Sequence, residues 1–409
     1  MSIDTNSAAD ALLLETLLTP EGRADPYSRY ERMREMGPRW RTGFGPIVVT
    51  SHADCMGVLR DPRLGRGAQR GGLFGDRGAE LPPEMRDRRP DNMLLADPPD
   101  HTRLRQLVSR AFTPKRVDAL VPAIVALVDG LLDEMAEAGE VDLISAFALP
   151  LPMAVIGELV GVPEADRSAF QPLVRSAAKA IEPILAADEI DEVMHAQEAL
   201  GAYFADLVAA RRARPADDLL SGLAQARDLD DRLTDEEVVS TAILLFAAGF
   251  ETTTNLIGNG MLALLQHPNE LARWRKDPGL DAAAVDELLR WDSPVQLNGR
   301  SALEAADLDG EELPEGQMVI VLQGAGNRDP ARFAGAGQLD VGRSDNMPVS
   351  FGWGIHHCIG AALARSEGQI AFRRLLDRFS TIDLVDAEPD WRASFTLRGL
   401  NTLRLTVGA

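Results

Sequence analysis

The sequence is poor in cysteine, since only Cys55 and Cys358 occur among its 409 residues. Two cysteines cannot build a framework of disulfides, and a structural zinc ion usually takes four nitrogen or sulfur ligands. His356 and His357 flank Cys358 too closely to complete a zinc site with good geometry. The scarcity of cysteine argues against a disulfide scaffold and a zinc domain. Without disulfides, the thiol of Cys358 stays reduced, and reduced thiols indicate a cytoplasmic location.

Basic residues are also scarce, because 42 lysines and arginines stand against 63 aspartates and glutamates, for a formal net charge of -21. An acidic chain repels phosphates, so we expect neither nucleic acid nor an anionic membrane surface as a general partner. Long apolar runs are missing as well. Residues 238–250 form the most apolar stretch, which is too short to span a bilayer and is predicted to be a buried helix.

Apolar residues make up 45% of the chain and charged residues 26%, which is typical of a globular protein with a large core. No linker of biased composition divides the sequence. We therefore expect a single domain over residues 26–409, preceded by an N-terminal extension over residues 1–25. Apolar periodicity predicts an amphipathic helix over residues 116–137, and short β-branched runs predict strands at residues 47–50, 317–322 and 402–407.

Capping signals mark several predicted helices. Pro26 begins a helix that stops before Gly37, and Ser51 can cap a helix on which Cys55 is a small packed residue. Thr234 and Glu237 form a capping box at the start of a helix that can run to Gln266. At about 1.5 Å per residue this helix would be roughly 48 Å long, enough to cross a large domain.

The most informative stretch surrounds Cys358, in the segment FGWGIHHCIG over residues 351–360. The run from Ala361 to Phe379 reads as a helix, so the sulfur lies at a helix N-terminus. Unpaired backbone N–H groups and the helix dipole favour a thiolate there, and glycines let a flat ligand approach the main chain. This arrangement suits a soft or redox-active iron.

Two further stretches contain residues that could bind a ligand or transfer protons. His101 and Arg105 follow two prolines and are four residues apart, on one helical face that could simply be solvated. In the middle of the long helix, small residues at 248 and 249 leave room for a ligand beside Glu251 and Thr252. A carboxylate beside a hydroxyl could pass protons, although a buried glutamate paired with an arginine is the alternative interpretation.

The pattern Phe-Gly-x-Gly-x-His-x-Cys-x-Gly resembles the haem-binding signature of the cytochrome P450 family. Three other stretches match family motifs in the family's order, at residues 97–105, 248–254 and 287–290. The resemblance runs from about residue 26 to the C-terminus. It implies a mainly α fold with small β-sheets, an α-rich triangular prism with haem between the long distal helix and the helix after Cys358.

The resemblance also implies which residues bind haem b. Cys358 is the axial ligand of the iron, Phe351 shields the sulfur, and the small residues Gly352, Gly360 and Ala248 adjoin the porphyrin. The propionates are bound by His101, Arg105, Arg300 and His356.

Glu251 and Thr252 match the acid–alcohol pair of the family. By that resemblance Glu251 relays protons from water, and Thr252 holds dioxygen and its water by hydrogen bonds. Phe250 departs from the histidine common at its position, which leaves the pair intact.

Glu287 and Arg290 match the Glu-x-x-Arg lock of the family, a structural element beneath the haem. Gln338 stands where a third, basic partner is expected. Either Arg332 substitutes for it or the lock is weaker in this chain.

Substrate recognition falls on segments that the motifs fix least. The irregular stretch Leu64–Pro90 is expected to form part of the pocket wall, and residues 176–194 to cover the pocket mouth. Candidate pocket residues are Leu94, Leu244, Val295, Phe395 and Thr396. A mid-sized polyketide, terpenoid or steroid is the substrate class that the resemblance implies.

The function implied is a haem-thiolate monooxygenase that inserts one oxygen atom of O₂ into an apolar substrate by hydroxylation or epoxidation. The chain has no flavin or iron–sulfur segment, so electrons would come from a ferredoxin or flavodoxin and an NAD(P)H reductase. Its docking face would be basic and comprise Arg103, Arg110, Lys115, Arg116, Arg365, Arg373 and Arg374. A peroxide-driven peroxygenase, which would not need Glu251 and Thr252, and a non-enzymatic haem-based ligand sensor are the alternatives.

Overall fold

The computed structural model describes residues 5–66, 93–182, 186–228 and 231–408. Most of the predicted pocket wall at Leu64–Pro90 therefore lies outside the described residues, as do residues 183–185 of the stretch predicted to cover the pocket mouth.

Helices form most of the described structure, and their bounds follow the predicted ones closely. They are α1 (Thr5–Leu18), α2 (Pro20–Ala24), α3 (Pro26–Met36), α4 (His52–Arg60), α5 (Asp100–Ala111), α6 (Pro114–Ala138), α7 (Pro150–Val160), α8 (Glu164–Ala178), α9 (Ala187–Ala213), α10 (Leu219–Gln225), α11 (Asp235–Gln266), α12 (Pro268–Lys276), α13 (Asp281–Trp291), α14 (Gln323–Asn327) and α15 (Ala361–Arg378). Single turns of π-helix (Ile144–Ala148) and 3₁₀-helix (Lys179–Ile181, Pro278–Leu280, Gly354–His356) connect some of them.

The strands are short and form small sheets. They are β1 (Arg39–Arg41), β2 (Ile47–Val49), β3 (Leu64–Gly65), β4 (Glu140–Asp142), β5 (Arg227–Asp228), β6 (Asp231–Arg232), β7 (Leu297–Ala302), β8 (Ala306–Leu308), β9 (Glu311–Leu313), β10 (Met318–Leu322), β11 (Thr381–Leu384), β12 (Asp390–Trp391), β13 (Leu400–Thr402) and β14 (Arg404–Gly408). The largest sheet has the order β1-β2-β10-β7-β3, in which β10 runs parallel to β2 and antiparallel to β7. The prediction of a mainly α fold with small β-sheets is confirmed.

Side-chain caps fix where the functional helices begin. Ser51 accepts the backbone N–H of Asp54 at 3.0 Å, as predicted for the start of α4. At α11, Thr234 Oγ1 accepts the N–H of Glu237 at 3.2 Å and Glu237 Oε2 accepts the N–H of Thr234 at 2.9 Å. This capping box satisfies two otherwise unpaired donors, so the long helix begins at Asp235 as the sequence predicts.

The long helix α11 runs through the main core and packs closely on its neighbours. A Cβ atom added to Gly260 would lie 2.7 Å from the ring of Phe372 on α15, too close for any side chain. On α7, Ile156 Cδ1 would be 2.8 Å from a Cβ at Gly249. Glycine at 249 therefore serves helix packing, and the expectation that it clears space for a ligand is wrong.

The first two helices share a core with the rest of the chain. Leu12, Leu13 and Leu17 of α1 are buried in one apolar cluster with Tyr30 and Met33 of α3. Residues 5–24, within the stretch treated above as an N-terminal extension, are thus packed on the helix that follows them.

The Glu-x-x-Arg lock joins α13 to the segment that leads to Cys358. Arg290 and Glu287 are completely buried and form a bidentate pair, with both N–O distances 2.7 Å. Arg290 also donates to the carbonyl oxygens of Asn327, Ala336 and Gln338 at 2.9 to 3.0 Å. The pair thereby holds a loop that has little secondary structure of its own.

The third, basic member of the lock is Arg343. Its Nε lies 3.0 Å from Glu287 Oε2, and its side chain is only 9% exposed. Gln338 contributes its carbonyl oxygen alone, and Arg332 pairs instead with the exposed Asp345. The expectation that Arg332 substitutes or that the lock is weaker is wrong, because the chain turns back after Gln338 and brings Arg343 to Glu287.

We expect Arg343→Ala to lower the free energy of unfolding of the haem-loaded protein by about 1–3 kcal/mol, because a buried carboxylate loses one of its charged donors. Urea denaturation measures the change. The control is Arg332→Ala, whose exposed ion pair contributes about 0–1 kcal/mol. A larger loss from Arg332→Ala than from Arg343→Ala would contradict this assignment.

Candidate active site

The loop before α15 holds Cys358 by backbone geometry. Gly352 and Gly354 have φ angles of 65° and 70°, a region that residues with a Cβ atom rarely adopt. A Cβ at Gly354 would also collide with the carbonyl oxygen of Leu59. The N–H of Cys358 donates to the carbonyl oxygen of Phe351 at 2.9 Å, which closes the loop three residues before α15 begins.

The surroundings of Cys358 act on its thiol in two opposite ways. Its side chain is exposed, yet enough protein surrounds it that burial raises the pKa of the thiol. The N–H of Gly360 and the charges of Arg105 and Arg365 act against burial and lower that pKa. The environment thus offers the sulfur donors and cations that stabilise its anionic form.

Phe351 and Arg365 pack beside the cysteine loop. The Arg365 guanidinium carbon lies 4.5 Å from the centre of the Phe351 ring, and Arg365 also pairs with Asp286 at 2.7 Å. These contacts fix the aromatic ring next to Cys358.

A cluster of cations and imidazoles adjoins the sulfur. The rings of His101 and His356 are 4.3 Å apart, and Arg105 donates to the carbonyl oxygen of His357 at 2.7 Å. Arg300 is 1% exposed and bonds Asn298 Oδ1 at 2.7 Å. The structure therefore brings together the four residues that the sequence predicts as a propionate clamp, although their role stays a prediction.

Arg66 belongs to this cluster and was missed by the sequence reasoning. Burial and then the charge of Arg66 lower the pKa of Arg300, and burial, the charge of Arg300 and then that of Arg66 lower the pKa of His356, so the Arg66 guanidinium lies near both. Its backbone N–H donates to Asp97 Oδ1 at 2.7 Å, which ties the end of β3 to the 97–105 motif. Arg66 lies in the stretch Leu64–Pro90, which was predicted to be irregular and contains several arginines, so no sequence signal distinguishes it.

The cluster is arranged for an anion. Burial, followed by the charge of Arg300, lowers the pKa of His356 to about 2, and burial lowers the pKa of Arg66 to about 10. His101 Nε2, His356 Nε2 and Arg66 Nε are buried with no hydrogen-bond partner among the described residues. Buried donors without acceptors are costly, so a ligand that presents carboxylates here would satisfy them.

These observations fit a haem. The porphyrin edge carries two carboxylates, which match the convergent donors of the clamp, and the iron takes a thiolate, which Cys358 can supply next to Arg105 of the clamp. Among the described residues, no group of three or more His, Cys, Asp or Glu side chains is arranged to hold a metal ion.

On α11, the acid–alcohol pair adopts a defined geometry. Thr252 Oγ1 donates to the carbonyl oxygen of Ala248 at 2.9 Å, and Ala248 is exposed. Thr253 and Thr254 make the same bond to the residues one turn earlier. Because the Thr252 hydroxyl donates its proton to Ala248, its oxygen can accept a hydrogen bond from another donor.

Glu251 is 1% exposed and forms an ion pair with Arg392, which follows β12. The structure thus confirms the alternative interpretation, in which Glu251 is a buried acid paired with an arginine. Arg392 is a second residue that the sequence analysis missed. No sequence signal links them, because β12 lies far from α11 along the chain.

The candidate pocket residues lie on three different parts of the fold. Leu244 is on α11, Val295 forms an isolated β-bridge with Leu397, and Phe395 and Thr396 are buried in the turn after β12. Leu94 is half-buried just before the 97–105 motif. The structure gives no direct contact among all of them, so their shared role stays a prediction.

Comparison with known proteins identifies the family. The profile of the cytochrome P450 family matches residues 185–277 and 280–397. Cytochrome P450 107B1 of Saccharopolyspora erythraea is 42% identical over 94% of this chain and 96% of its own length. The 6-deoxyerythronolide B hydroxylase of the same organism is 39% identical over 93% and 95% respectively.

A solved structure agrees in fold. The ligand-free crystal structure of CYP164A2 from Mycobacterium smegmatis has a TM-score of 0.89 and is 38% identical, covering 97% of this chain and 100% of that chain. The chain belongs to the cytochrome P450 family and is a haem-dependent monooxygenase of the bacterial type. Within the described residues, every helix is too short or too polar to cross a bilayer.

We expect Arg66→Gln to speed haem transfer to excess apomyoglobin about tenfold, because a charge-assisted hydrogen bond to a propionate is lost. Arg63→Gln is the matched control, since Arg63 pairs with the neighbouring Asp61 on the surface. Equal transfer rates for Arg66→Gln and the unmodified enzyme would exclude Arg66 from the clamp.

Proposed function

We propose that this enzyme uses haem b, ligated by Cys358, to hydroxylate or epoxidise an apolar organic substrate with O₂ and electrons from a ferredoxin system. The observation that carries the proposal is the exposed Cys358 directly before α15, beside buried donors that have no acceptor among the described residues. A reduced thiol at that position supports a cytoplasmic location.

Bound haem supplies the activation of O₂ at iron, with the thiolate favouring cleavage of the O–O bond. The protein's part is to hold the cofactor and to deliver protons. Cys358 ligates the iron, while His101, Arg105, Arg300, His356 and the newly found Arg66 bind the propionates.

Thr252 positions the proton donor. Its hydroxyl proton points to the Ala248 carbonyl, so its oxygen accepts a hydrogen bond from a water or hydroxyl in the cavity. Ala248 is exposed beside it and leaves space for that water. Thr252 thereby orients a donor without itself losing a proton.

Glu251 connects the region around Thr252 with solvent. Its carboxylate is held by Arg392, and it can accept a proton from water only when that ion pair loosens. Arg392 is 17% exposed at its side chain, so it contacts both the buried glutamate and solvent. Glu251 and Arg392 together are suited to pass protons inward one at a time.

The substrate is proposed to be a mid-sized apolar natural product. The residues proposed to line the pocket are mostly apolar, namely Leu244, Val295 and Phe395, and such side chains bind apolar ligands by burying their surface. The name of the 6-deoxyerythronolide B hydroxylase indicates that a relative oxidises a compound of this kind. The residues of the pocket wall determine which atom of the substrate is oxidised.

We expect Thr252→Ala to lower the ratio of product to NAD(P)H consumed by roughly tenfold or more, because the donor water is no longer held. The control is Thr253→Ala, which removes a hydroxyl bonded in the same way one residue on, but on a buried face. Coupling is measured with the ferredoxin and reductase present. Full coupling in Thr252→Ala would contradict the relay.

The same assay separates the alternatives. A peroxygenase would form product with hydrogen peroxide alone, and its rate would be insensitive to Thr252→Ala. The monooxygenase requires NAD(P)H, reductase and O₂ together. Product formation at the same rate with and without NAD(P)H and reductase would overturn the proposed function.

The proposed docking face for the electron donor is less basic than its sequence suggests. Arg374 lies 3.6 Å from Asp129, Arg373 pairs with Asp377 at 2.7 Å, and Arg103 pairs with Glu237. Arg110 and Lys115 are exposed at the junction of α5 and α6. We propose that the docking face centres on that junction and includes Arg374, because its ion pair with Asp129 is long and solvent-exposed.

We expect the double variant Arg110→Glu with Arg374→Glu to slow reduction by ferredoxin about tenfold at low salt, with the difference shrinking as salt screens the charges. Stopped-flow measurement of haem reduction records the rate. The control is Arg212→Glu on α9, which packs on the distal helices α8 and α11. An unchanged rate in the double variant would remove this docking face.

A further inference from the structure

The carboxylate of Glu182 joins two segments that are far apart in the chain. Glu182 follows the 3₁₀ turn Lys179–Ile181 and is half-buried. Its Oε1 accepts the hydroxyl of Ser394 at 2.5 Å and the N–H of Thr396 at 3.2 Å, and its Oε2 accepts the N–H of Phe395 at 3.2 Å. Hydrogen bonds to a carboxylate are about twice as strong as those between neutral groups, so this one side chain makes a strong connection.

The segment that donates these bonds, residues 394–397, is called the pocket turn below because it contains two candidate pocket residues. On its other side it is fixed to the segment that leads into β7. The N–H of Gln296 donates to the carbonyl oxygen of Thr396 at 3.0 Å, and Val295 forms a β-bridge with Leu397. The pocket turn is therefore anchored to the sheet whether or not Glu182 is bonded to it.

The segment that accepts the bonds, residues 176–182, is called the α8 end, and it is bonded to α9. Ser176 Oγ donates to Glu192 Oε1 at 2.5 Å, and Lys179 Nζ lies 2.7 Å from Glu192 Oε2. Besides the carboxylate, the α8 end is joined to the pocket turn by a hydrogen bond of 3.4 Å from the Thr396 hydroxyl to the carbonyl oxygen of Ile181. At that length this bond is weak, so the carboxylate provides most of the connection.

The contact between the α8 end and the pocket turn can open without loss of secondary structure. Each of its bonds involves a side chain, so all of them can break while the helices and strands on both sides stay intact. Phe395 and Thr396 are only 5% and 4% exposed, so the pocket turn is covered while the bonds are made.

We propose that Glu182 is a positioning residue that controls how fast bulky ligands exchange with the pocket, by holding the α8 end on the pocket turn. The proposal rests on the proposed function, because it takes Phe395 and Thr396 as pocket residues and α8 and α9 as cover of the pocket mouth. Without the carboxylate the contact opens more often, so entry and release both become faster. The affinity changes little, because the free and the ligand-bound enzyme lose the same bonds.

The test compares imidazole with 1-tritylimidazole, which bind haem iron through the same ring and differ in bulk. Stopped-flow absorbance of the ferric, haem-loaded enzyme gives association and dissociation rate constants for both. We expect Glu182→Ala to raise both rate constants of 1-tritylimidazole about tenfold, because hydrogen bonds to a charged group are lost, and to change those of imidazole less than about twofold.

The matched control is Glu192→Ala, which removes a carboxylate that bonds Ser176 and Lys179 but leaves the bonds to the pocket turn in place. It should keep the exchange rates of the unmodified enzyme. Ser394→Ala removes the shortest bond of Glu182 and should speed the exchange of 1-tritylimidazole by a smaller factor. Unaltered imidazole binding shows that each variant is folded around its haem.

Three results would overturn the inference. The first is an unchanged pair of 1-tritylimidazole rate constants in Glu182→Ala, and the second is an equal increase in Glu192→Ala. The third is a faster dissociation without a faster association, which is the result of a distorted pocket that binds its ligand less tightly.

Failure of this inference is distinguishable from failure of the proposed function, because azole exchange requires neither an electron donor nor turnover. Faster exchange in Glu182→Ala supports the inference even if no product forms with NAD(P)H and reductase. Product formation by an enzyme whose exchange rates do not respond to Glu182→Ala would support the monooxygenase and overturn the role of Glu182.

Discussion

The position of one sulfur atom determines how the rest of this structure is organised. Cys358 is held by a loop whose glycines adopt left-handed backbone conformations, and α15 begins directly after that loop. The buried lock of Glu287, Arg290 and Arg343 fixes the irregular segment leading to it. Helix α11 packs against α15 through Gly260, so close helix contact sets the spacing between the helix after Cys358 and the helix that carries Glu251 and Thr252.

Charge is distributed differently in the two proposed functional regions. Around His101, His356 and Arg66, buried donors converge without acceptors among the described residues, as expected for a site that receives an anionic cofactor edge. On α11, the buried carboxylate of Glu251 forms an ion pair with Arg392, which is consistent with the proton relay proposed above. The two proposed roles, cofactor binding and proton transfer, are thus assigned to regions with different electrostatic arrangements.

Local patterns in the sequence predicted the helices, their caps and the four motifs, because each depends on residues a few positions apart. The errors arose where distant segments meet. Arg343 replaces the expected basic partner because the chain folds back after Gln338, and Gly249 packs on α7 instead of facing a ligand. Arg66 and Arg392 complete sites whose other members lie far away in the chain, so no spacing could reveal them.

The most direct test of the central claim is the spectrum of the reduced, carbon-monoxide-bound protein. Thiolate ligation by Cys358 predicts a strongly red-shifted Soret band that is lost in Cys358→Ser and kept in Cys55→Ser, where the cysteine is buried in the core. A red-shifted band that persists in Cys358→Ser, or its absence from the unmodified protein, would contradict the account.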